Sequence, residues 1–386
     1  FLEHFLWTLA AYALIRYTNT EQHKYLYGLA VALVLGWWSK YSVLFFVGAF
    51  FIALLLSPQR KMLAQKQFWL AVALGVVLIL PNVLWQYFHN WPLAHHMAEL
   101  RDTQLKYINR ADFLKEQLLM LLPVAFVWIG GLIWLLRKPR YRIIGLMYLG
   151  VVLLLMLGSG KGYYTLGAYP MLLAAGGVCY ERMGFLKSWV RYASVALILL
   201  LSFPFIPLLL PMQAPPQMAE MNRQWGLQKL GVLNWEDQKA HPLQQDFADM
   251  LGWKELTEKT ENTYNNLSTF SKAHTYIFCG SYGQAGALQY YGKSAAFRSR
   301  VISANGTFLL WMPLPLQFDN LIFVDEDPPE HPLFQHFEKA TLVDSVSNPL
   351  SRQYGDGIYL FQHADSLAAP MANAALSKLK AVFTRP

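Results

Sequence analysis

Charged residues are scarce in this chain of 386 residues: Asp, Glu, Lys and Arg make up 15% of it, against about a quarter in ordinary globular domains. Hydrophobic residues make up 55%. The residues up to Met212 form a series of long apolar runs, whereas polar residues return to their usual density after it. This composition excludes an ordinary soluble protein. It predicts a membrane domain at residues 1–212 and a water-soluble domain at residues 213–386.

Cysteine is also scarce: Cys179 ends an apolar run and Cys279 lies in the polar region, which argues against a disulfide framework. The sequence has no initiator methionine and no charged lead-in, so we expect an amino-terminal portion to precede it. The formal charge of +8 does not indicate a nucleic-acid partner. The basic residues concentrate in short loops between apolar runs, where orientation in a membrane explains them.

About eight of the apolar runs are candidate membrane spans, since a helix needs roughly 20 mostly apolar residues to cross a bilayer. Trp37 to Tyr41 separate two of them and are typical of an interfacial turn. The predicted spans are residues 1–16, 25–39, 42–57, 68–86, 114–136, 141–159, 163–180 and 190–211.

The loop charges predict the orientation of these spans. Basic residues cluster in the loops at residues 60–66, 137–142 and 182–191, which all fall on one side if there are eight spans. The positive-inside rule makes that side cytoplasmic. The turn at Lys40, the loop at 87–112, the turn at 158–162 and the polar region would then all face outward.

The polar region has the pattern of a mixed α/β domain. Strands are predicted at residues 274–280, 321–325, 340–345 and 357–362, and a helix at 284–291. The whole chain is therefore predicted to be a polytopic α-helical membrane domain followed by a small extracytoplasmic α/β domain.

Isolated cations on the predicted outer face are the first candidates for a functional site, because charge near a membrane is expensive and usually functional. They are Lys40, Lys161 in a glycine-rich turn, and Arg101 in the outer loop. Lysine binds phosphate as a point charge, and glycine lets the backbone approach a ligand closely. These residues would suit the phosphate of a lipid. The alternative for each lysine is an ammonium that only reaches from a helix end into water.

The outer loop at residues 87–101 holds the densest polar and aromatic cluster near the predicted membrane. His96 and Glu99 lie one helical turn apart and, with His89 and His95, are possible metal ligands. A surface loop with neighbouring histidines is the simpler explanation, and we predict no metal.

Two further motifs resemble nucleotide sites only superficially. The segment GSYGQAG at residues 280–286 has GxxGxxG rather than GxGxxG spacing, and the acidic run at 325–327 is followed by two prolines. We interpret them as a strand-to-helix turn and a solvated loop.

Several segments, taken in order, resemble a known family. GWWSKYSVLF at residues 36–45, LPNVLWQYFHNW at 80–91 and SGKGYYTLGAYP at 159–170 resemble turns of the dolichyl-phosphate-mannose–protein mannosyltransferase-like superfamily. This superfamily includes glycosyltransferase family 39 and the aminoarabinose transferase of lipid A. The segment YGQAGALQYYG at 282–292 is similar to part of the extracytoplasmic domain that many bacterial members carry.

The resemblance implies a GT-C fold and a polyprenyl-phosphate sugar as donor, with no obligatory cofactor. It implies that Lys40 contacts the lipid phosphate and that Lys161 and Tyr164, with Tyr163 beside them, line the same cavity. His96 and Arg101 are looser candidates to approach the phosphate. The family's catalytic acid lies in a first outer loop that this sequence lacks, so we expect the chain to lack its base.

The sequence thus predicts a bacterial inner-membrane glycosyltransferase that acts on an extracytoplasmic protein, lipid or polysaccharide. Its partners would be membrane lipid, the polyprenyl-phosphate-linked sugar and the acceptor. One alternative is a transporter or flippase for a lipid-linked saccharide, which would need broken helices or polar groups at mid-membrane depth. Another is a non-catalytic subunit of an envelope-polysaccharide assembly complex.

Overall fold

The computed structural model of the chain describes residues 1–103, 109–182, 188–237 and 239–383. The chain divides into two compact units, Phe1–Ile206 and Pro207–Pro386. The domain boundary predicted after residue 212 therefore lies a few residues inside the second unit. Part of the third basic loop, residues 183–187, lies outside the described residues.

The first unit is helical in its described parts. Its helices are α1 (Leu2–Thr20), α2 (Lys24–Ser39), α3 (Val43–Leu55), α4 (Lys66–Phe88), α5 (Pro92–Thr103), α6 (Arg110–Leu119), α7 (Ala125–Arg137), α8 (Arg142–Leu157), α9 (Tyr169–Arg182) and α10 (Ser188–Ser202). Short 3₁₀ turns are formed by Pro58–Ala64, Leu122–Val124, Gly162–Ala168 and Phe203–Phe205.

The helices follow most of the predicted spans, and the predicted separation of α2 and α3 at the Lys40 turn is confirmed. Three features differ from the prediction. The predicted span 114–136 is instead two helices, α6 and α7, which meet at an angle of 64° near Pro123, because proline has no amide proton for the helix ladder. The predicted span 163–180 begins as a 3₁₀ turn, and the predicted outer loop contains helix α5.

Few of these helices are long and apolar enough to cross a bilayer by themselves. Within the described ranges two qualify by length and composition, Lys66–Phe88 and Trp189–Leu209, or up to four if each of two bent pairs counts as one span. The apolar helices support a membrane protein, while the number of eight spans stays a prediction.

Hydrogen bonds at the end of α1 bring together two of the three predicted basic loops. The Arg140 side chain donates to the carbonyl oxygens of Thr18 and Asn19, both at 3.2 Å, and Gln59 donates to the Arg140 carbonyl at 2.8 Å. The carboxyl end of α1 and the turns at 58–64 and 138–141 therefore lie together. The Lys40 turn lies at the other end of α1, about 28 Å away for 19 residues at 1.5 Å each. Which end faces the cytoplasm stays a prediction.

Small residues let helices α7 and α9 touch through their backbones. A Cβ atom on Gly131 would lie 2.1 Å from the carbonyl oxygen of Leu172, and one on Gly176 would lie 2.2 Å from that of Val127. Close approach through glycine is a common packing mode of membrane helices. Helices α3 and α8 approach in the same way, because a Cβ atom on Gly150 would lie 2.9 Å from that of Ala49.

The second unit combines helices with one five-stranded sheet. Its strands are β1 (Thr275–Cys279), β2 (Val301–Ser303), β3 (Asn320–Asp325), β4 (Phe337–Ser345) and β5 (Gly357–Ala364). The remaining helices of the chain are α11 (Ile206–Leu209), α12 (Pro215–Gln224), α13 (Gln245–Ala248), α14 (Trp253–Asn265), α15 (Thr269–Ala273), α16 (Tyr282–Tyr291), α17 (Ala295–Arg298), α18 (Phe308–Trp311) and α19 (Ala368–Ala381). Leu227–Leu230 and Pro332–His336 form 3₁₀ turns.

The strand order of this sheet is β2-β1-β3-β5-β4. Strand β1 runs parallel to both β2 and β3, whereas β5 runs antiparallel to both β3 and β4. Strand β3 is buried along almost its whole length, since hydrophobic clusters cover both faces of the sheet. The four predicted strands and the predicted helix are confirmed. Strand β2 was not predicted because only three residues form it.

The glycine-rich segment at 280–286 has a structural explanation. The Ser281 side chain caps the first turn of α16 by accepting from the Gln284 amide, and the Ser281 amide donates to the Gln284 side-chain oxygen, which is a capping box. A Cβ atom on Gly280 would lie 2.1 Å from a carboxylate oxygen of Asp325. The glycine therefore makes room for that carboxylate at the carboxyl ends of β1 and β3.

Asp356 makes the stability of this unit depend on pH. Burial raises the pKa of its carboxyl group to about 6, although a hydrogen bond from Gln284 at 2.8 Å opposes the rise. The ordinary pKa of an aspartate is about 3.9, and that of Asp356 in the folded state is about 6. Between these two pH values the folded state therefore holds a proton that the unfolded chain has lost. The contribution of this group to stability is largest below that window and is lost as the pH rises through it.

We expect Asp356→Asn to remove this part of the pH dependence. In urea unfolding of residues 215–386, the free energy of unfolding of the variant, relative to that of the wild type, should rise by about 2 kcal/mol from pH 4.5 to pH 8. Asp319→Asn, at an exposed carboxyl group, is the control and should not change the pH profile. Parallel pH profiles for Asp356→Asn and the wild type would contradict the assignment.

Candidate functional site

The turn between α2 and α3 is tight and holds Lys40 at its centre. Helix α2 ends at Ser39, and the Lys40 amide donates to the Gly36 carbonyl at 2.8 Å. A Cβ atom on Gly36 would lie 2.8 Å from a methyl group of Val43, so glycine is what lets the start of α3 pack on the last turn of α2. The backbone therefore fixes where the Lys40 side chain leaves the turn.

The Lys40 ammonium lies against two tyrosine rings and one carboxylate. Its Nζ atom is 4.3 Å from the ring centre of Tyr164, 5.7 Å from that of Tyr163, and 3.8 Å from Oε2 of Glu3. A cation over an aromatic face is attracted by the negative face of the ring. Two of the predicted cavity residues, Tyr163 and Tyr164, thus lie beside the predicted phosphate ligand Lys40.

Glu3 is a residue of this site that the sequence did not single out. It lies in the first turn of α1, its side chain is 13% exposed, and its Oε1 atom accepts a hydrogen bond from the Ser42 hydroxyl. A carboxylate among apolar residues is a signal in itself, because such groups are rarely left near a membrane without a function. That the family's catalytic acid lies outside this sequence stays a prediction.

Asn82 and Gln86 of α4 tie the Lys40 turn to the start of α5. The Asn82 side-chain oxygen accepts hydrogen bonds from the Trp37 indole and the Tyr41 hydroxyl, both at 3.0 Å. The Gln86 amide donates to the same Tyr41 hydroxyl at 3.0 Å and accepts from the Leu93 amide at 3.2 Å. The segments at 36–45 and 80–91, far apart in sequence, therefore form one polar layer.

Gln117 of α6 holds the turn that contains Lys161 through hydrogen bonds. The Thr165 hydroxyl donates to the Gln117 side-chain oxygen at 2.6 Å, and the Tyr169 hydroxyl donates to the Gln117 carbonyl at 2.8 Å. Lys161 is half-buried and precedes the 3₁₀ turn Gly162–Ala168, two residues before the Tyr163 ring. The segment at 159–170 thus joins the segment at 36–45 through Tyr163 and Tyr164.

Glu116 adds a second carboxylate to this turn. Its side chain accepts a hydrogen bond from the Gly162 amide. A Cβ atom on Gly162 would lie 1.9 Å from a carboxylate oxygen of Glu116, so only glycine fits there.

Arg101 and His96 lie on α5 and are exposed. Among the described residues, the Lys40 side chain forms its ion pair with Glu3 and its cation–ring contacts with Tyr163 and Tyr164. Neither Arg101 nor His96 takes part in these interactions. Their roles at the phosphate stay predictions. Over the same residues no group of three His, Cys, Asp or Glu side chains is arranged to hold a metal ion. The side chain of Glu99 lies outside this description.

An apolar groove begins next to the Lys40 turn and runs between α2, α3 and α4. It has a volume of about 200 Å³, and its wall includes Trp37, Val43, Phe50, Phe68, Ala71 and Gly75. It extends along α2 from Trp37 to Leu26, which is about 16 Å at 1.5 Å per residue. Leu44 and Val76 of its wall are exposed on the outside of the unit, so the groove opens to the surroundings of the helices.

The polar layer around the Lys40 turn and the apolar groove are continuous, since Trp37 belongs to both. Residues 2–85 match the profile of the dolichyl-phosphate-mannose-protein mannosyltransferase family. The matched segment contains Glu3, Lys40 and Asn82, and it ends before Lys161. With the apolar helices, this match supports a membrane protein of a glycosyltransferase family. No curated protein and no solved structure matches the chain.

Proposed function

We propose that the chain is an integral-membrane glycosyltransferase of GT-C type that uses a polyprenyl-phosphate sugar as donor. The observation that carries the proposal is the continuity of the Lys40 turn with the apolar groove, because Trp37 belongs to both. A polyprenyl chain requires an apolar groove of this kind, and its phosphate requires a cation at the head of the groove.

The chemistry follows from these parts. A hydroxyl or amine of the acceptor attacks the anomeric carbon of the sugar and loses its proton to a base. The bond from that carbon to the lipid phosphate breaks, and the phosphate leaves with the electron pair. Lys40 and Lys161 stabilise the charge that develops on the departing phosphate. Lys161 lies two residues before Tyr163 in the sequence. No nucleotide or metal is required for this step.

The proposal extends to the surroundings of the site. The acceptor would be an extracytoplasmic protein, lipid or polysaccharide, the membrane would be a bacterial inner membrane, and the second unit would lie on its outer side. The charge pattern of the loops supports this orientation. Arg101 and His96 on α5 would approach the sugar phosphate when it is bound, and Tyr163 and Tyr164 would line its cavity.

A lipid-linked saccharide transporter is the second candidate, and one observation favours it. Helices α6 and α7 together form a bent pair with a 64° angle, and broken helices are typical of transporter sites. A transporter moves the intact lipid-linked sugar, whereas a transferase separates the sugar from the lipid phosphate. Product analysis by thin-layer chromatography therefore separates the two.

Binding of a short prenyl phosphate tests the proposed donor site. By calorimetry in detergent, we expect the purified chain to bind farnesyl phosphate with micromolar affinity and to bind farnesol or inorganic phosphate much more weakly. Gly75→Phe should remove most of this binding, because Gly75 lines the groove and a large ring would fill it. Gly28→Phe is the control, since a Cβ atom there would have no neighbour within 4 Å.

Two results would contradict the donor site. Equal affinity for farnesol would mean that the phosphate is not recognised. Equal affinity for inorganic phosphate would assign the site to a free anion rather than to a lipid headgroup.

A further inference from the structure

Glu3 and Lys40 form a pair whose geometry is not that of a permanent ion pair. The distance from Nζ to Oε2 is 3.8 Å, and the lysine side chain is 43% exposed. That distance exceeds the usual range for a hydrogen bond between nitrogen and oxygen. Half-exposed pairs of this kind contribute about 0–1 kcal/mol, so the pair is too weak to be explained by the stability of the fold alone.

The two partners are held to different degrees. Glu3 is largely buried, and Ser42, which is 8% exposed, donates a hydrogen bond to it. The Lys40 ammonium carries three donors and makes no hydrogen bond to any residue that the structure describes; the carboxylate of Glu3 and the two tyrosine rings lie around it, and His4 lies near enough to interact with its charge. The carboxylate is therefore fixed by a second bond, and the ammonium is the partner that can turn toward another anion.

We propose that Glu3 is an exchangeable counter-ion that positions Lys40, and that the phosphate of the bound lipid displaces it. This inference rests on the proposed function, since it requires a phosphate at Lys40. Before binding, Glu3 keeps the ammonium over the Tyr164 ring at the head of the groove. When the lipid phosphate arrives, Lys40 pairs with the phosphate, while Ser42 keeps the Glu3 carboxylate in place.

The exchange has a consequence for affinity. The Glu3 carboxylate and the phosphate are both anions near one cation, so they compete for the same ammonium. Glu3 therefore weakens the binding of a lipid phosphate. The same competition favours release of the lipid phosphate that remains after the sugar has been transferred, which keeps the site from being blocked by its own product.

Glu3→Gln isolates the charge from the geometry. Glutamine has the same shape, and its amide oxygen can still accept the Ser42 hydrogen bond. We expect Glu3→Gln to bind farnesyl phosphate about fivefold more tightly than the wild type, because the phosphate no longer has to replace a partly exposed ion pair at Lys40. Glu21→Gln is the matched control, because it removes the same charge just beyond the opposite end of the same helix, and its affinity should equal that of the wild type.

A double-mutant cycle shows whether the effect passes through Lys40. In a Lys40→Ala background, Glu3→Gln should change the affinity by less than twofold, because no ammonium remains to be exchanged. A merely structural role of Glu3 would instead weaken binding in Glu3→Gln, through loss of order in the turn, with or without Lys40.

The outcomes separate this inference from the proposed function. If Lys40→Ala weakens binding but Glu3→Gln leaves it unchanged or weaker, the exchange is wrong and the phosphate site stands. If Lys40→Ala itself leaves the affinity for farnesyl phosphate unchanged, the phosphate site is wrong, and the exchange falls with it. Tighter binding in Glu3→Gln that persists in the Lys40→Ala background would also overturn the exchange, since the carboxylate would then act on the ligand directly.

Discussion

Lys40→Ala is expected to raise the dissociation constant for farnesyl phosphate by about 10- to 100-fold, because a hydrogen bond to a charged group contributes about 1.5–3 kcal/mol. The lysine ammonium lies over the Tyr164 ring, in the turn next to the groove, where under the proposed function it would pair with the phosphate of the lipid. In an assay of sugar transfer the same variant should slow the reaction by a similar factor, since the leaving phosphate loses its counter-charge.

Lys66→Ala is the matched control for this prediction. Lys66 is the first residue of α4 and lies near the far end of the groove, beside Phe68 of its wall. Removing this charge should leave the affinity for farnesyl phosphate within about twofold of the wild type if short-range contact rather than net charge decides binding. An equal loss in both variants would mean that Lys40 acts only through the overall positive charge.

Gly131→Ala is expected to destabilise the first unit by about 2–4 kcal/mol, a large effect for one added methyl group. The new Cβ atom would lie 2.1 Å from the Leu172 carbonyl oxygen and 2.6 Å from the Gly176 amide nitrogen, and both of these are backbone atoms. A flexible side chain could rotate away, but here α7 and α9 must separate along their shared face. Unfolding in mixed micelles by titration with dodecyl sulfate measures the change.

The neighbouring residue provides the control. A Cβ atom on Gly130 would have no neighbour within 4 Å, and alanine is the better helix former by about 1 kcal/mol. Gly130→Ala should therefore leave the stability unchanged or raise it. If the two variants lose the same free energy of unfolding, close contact between α7 and α9 is not what Gly131 provides.

The sequence could predict most of the helices of the first unit and most of the strands because their signals are local. Apolar runs and strand patterns depend on neighbouring residues, and they predicted the apolar helices of the first unit, though not α5 in the outer loop, and four of the five strands. The predicted span at 114–136 was wrong as a single helix, although Pro123 within it was a visible signal of the break. The three-residue strand β2 is too short to carry a pattern of its own.

The site was harder to predict because its contacts join distant segments. Glu3 meets Lys40 and Ser42 across 37 and 39 residues of chain, by subtraction of residue numbers. Asn82 and Gln86 lie in the segment at 80–91, but the sequence did not predict their hydrogen bonds to the Lys40 turn. These bonds depend on how α4 packs against α2. No local pattern contains that information. The motifs predicted the turns themselves, and the structure added the side chains that connect them.

Trp37 connects the polar layer to the apolar groove through one rigid side chain. One edge of its indole donates to Asn82 in the polar layer, and its apolar surface forms part of the groove wall. One rigid ring system therefore fixes the distance between the polar layer and the start of the groove wall. Under the proposed function, a bound amphiphile would be selected by the spacing between its anionic group and the start of its tail. Lipids with the right charge and the right chain, but with a longer bridge between them, would contact either the polar layer or the groove wall correctly, and not both.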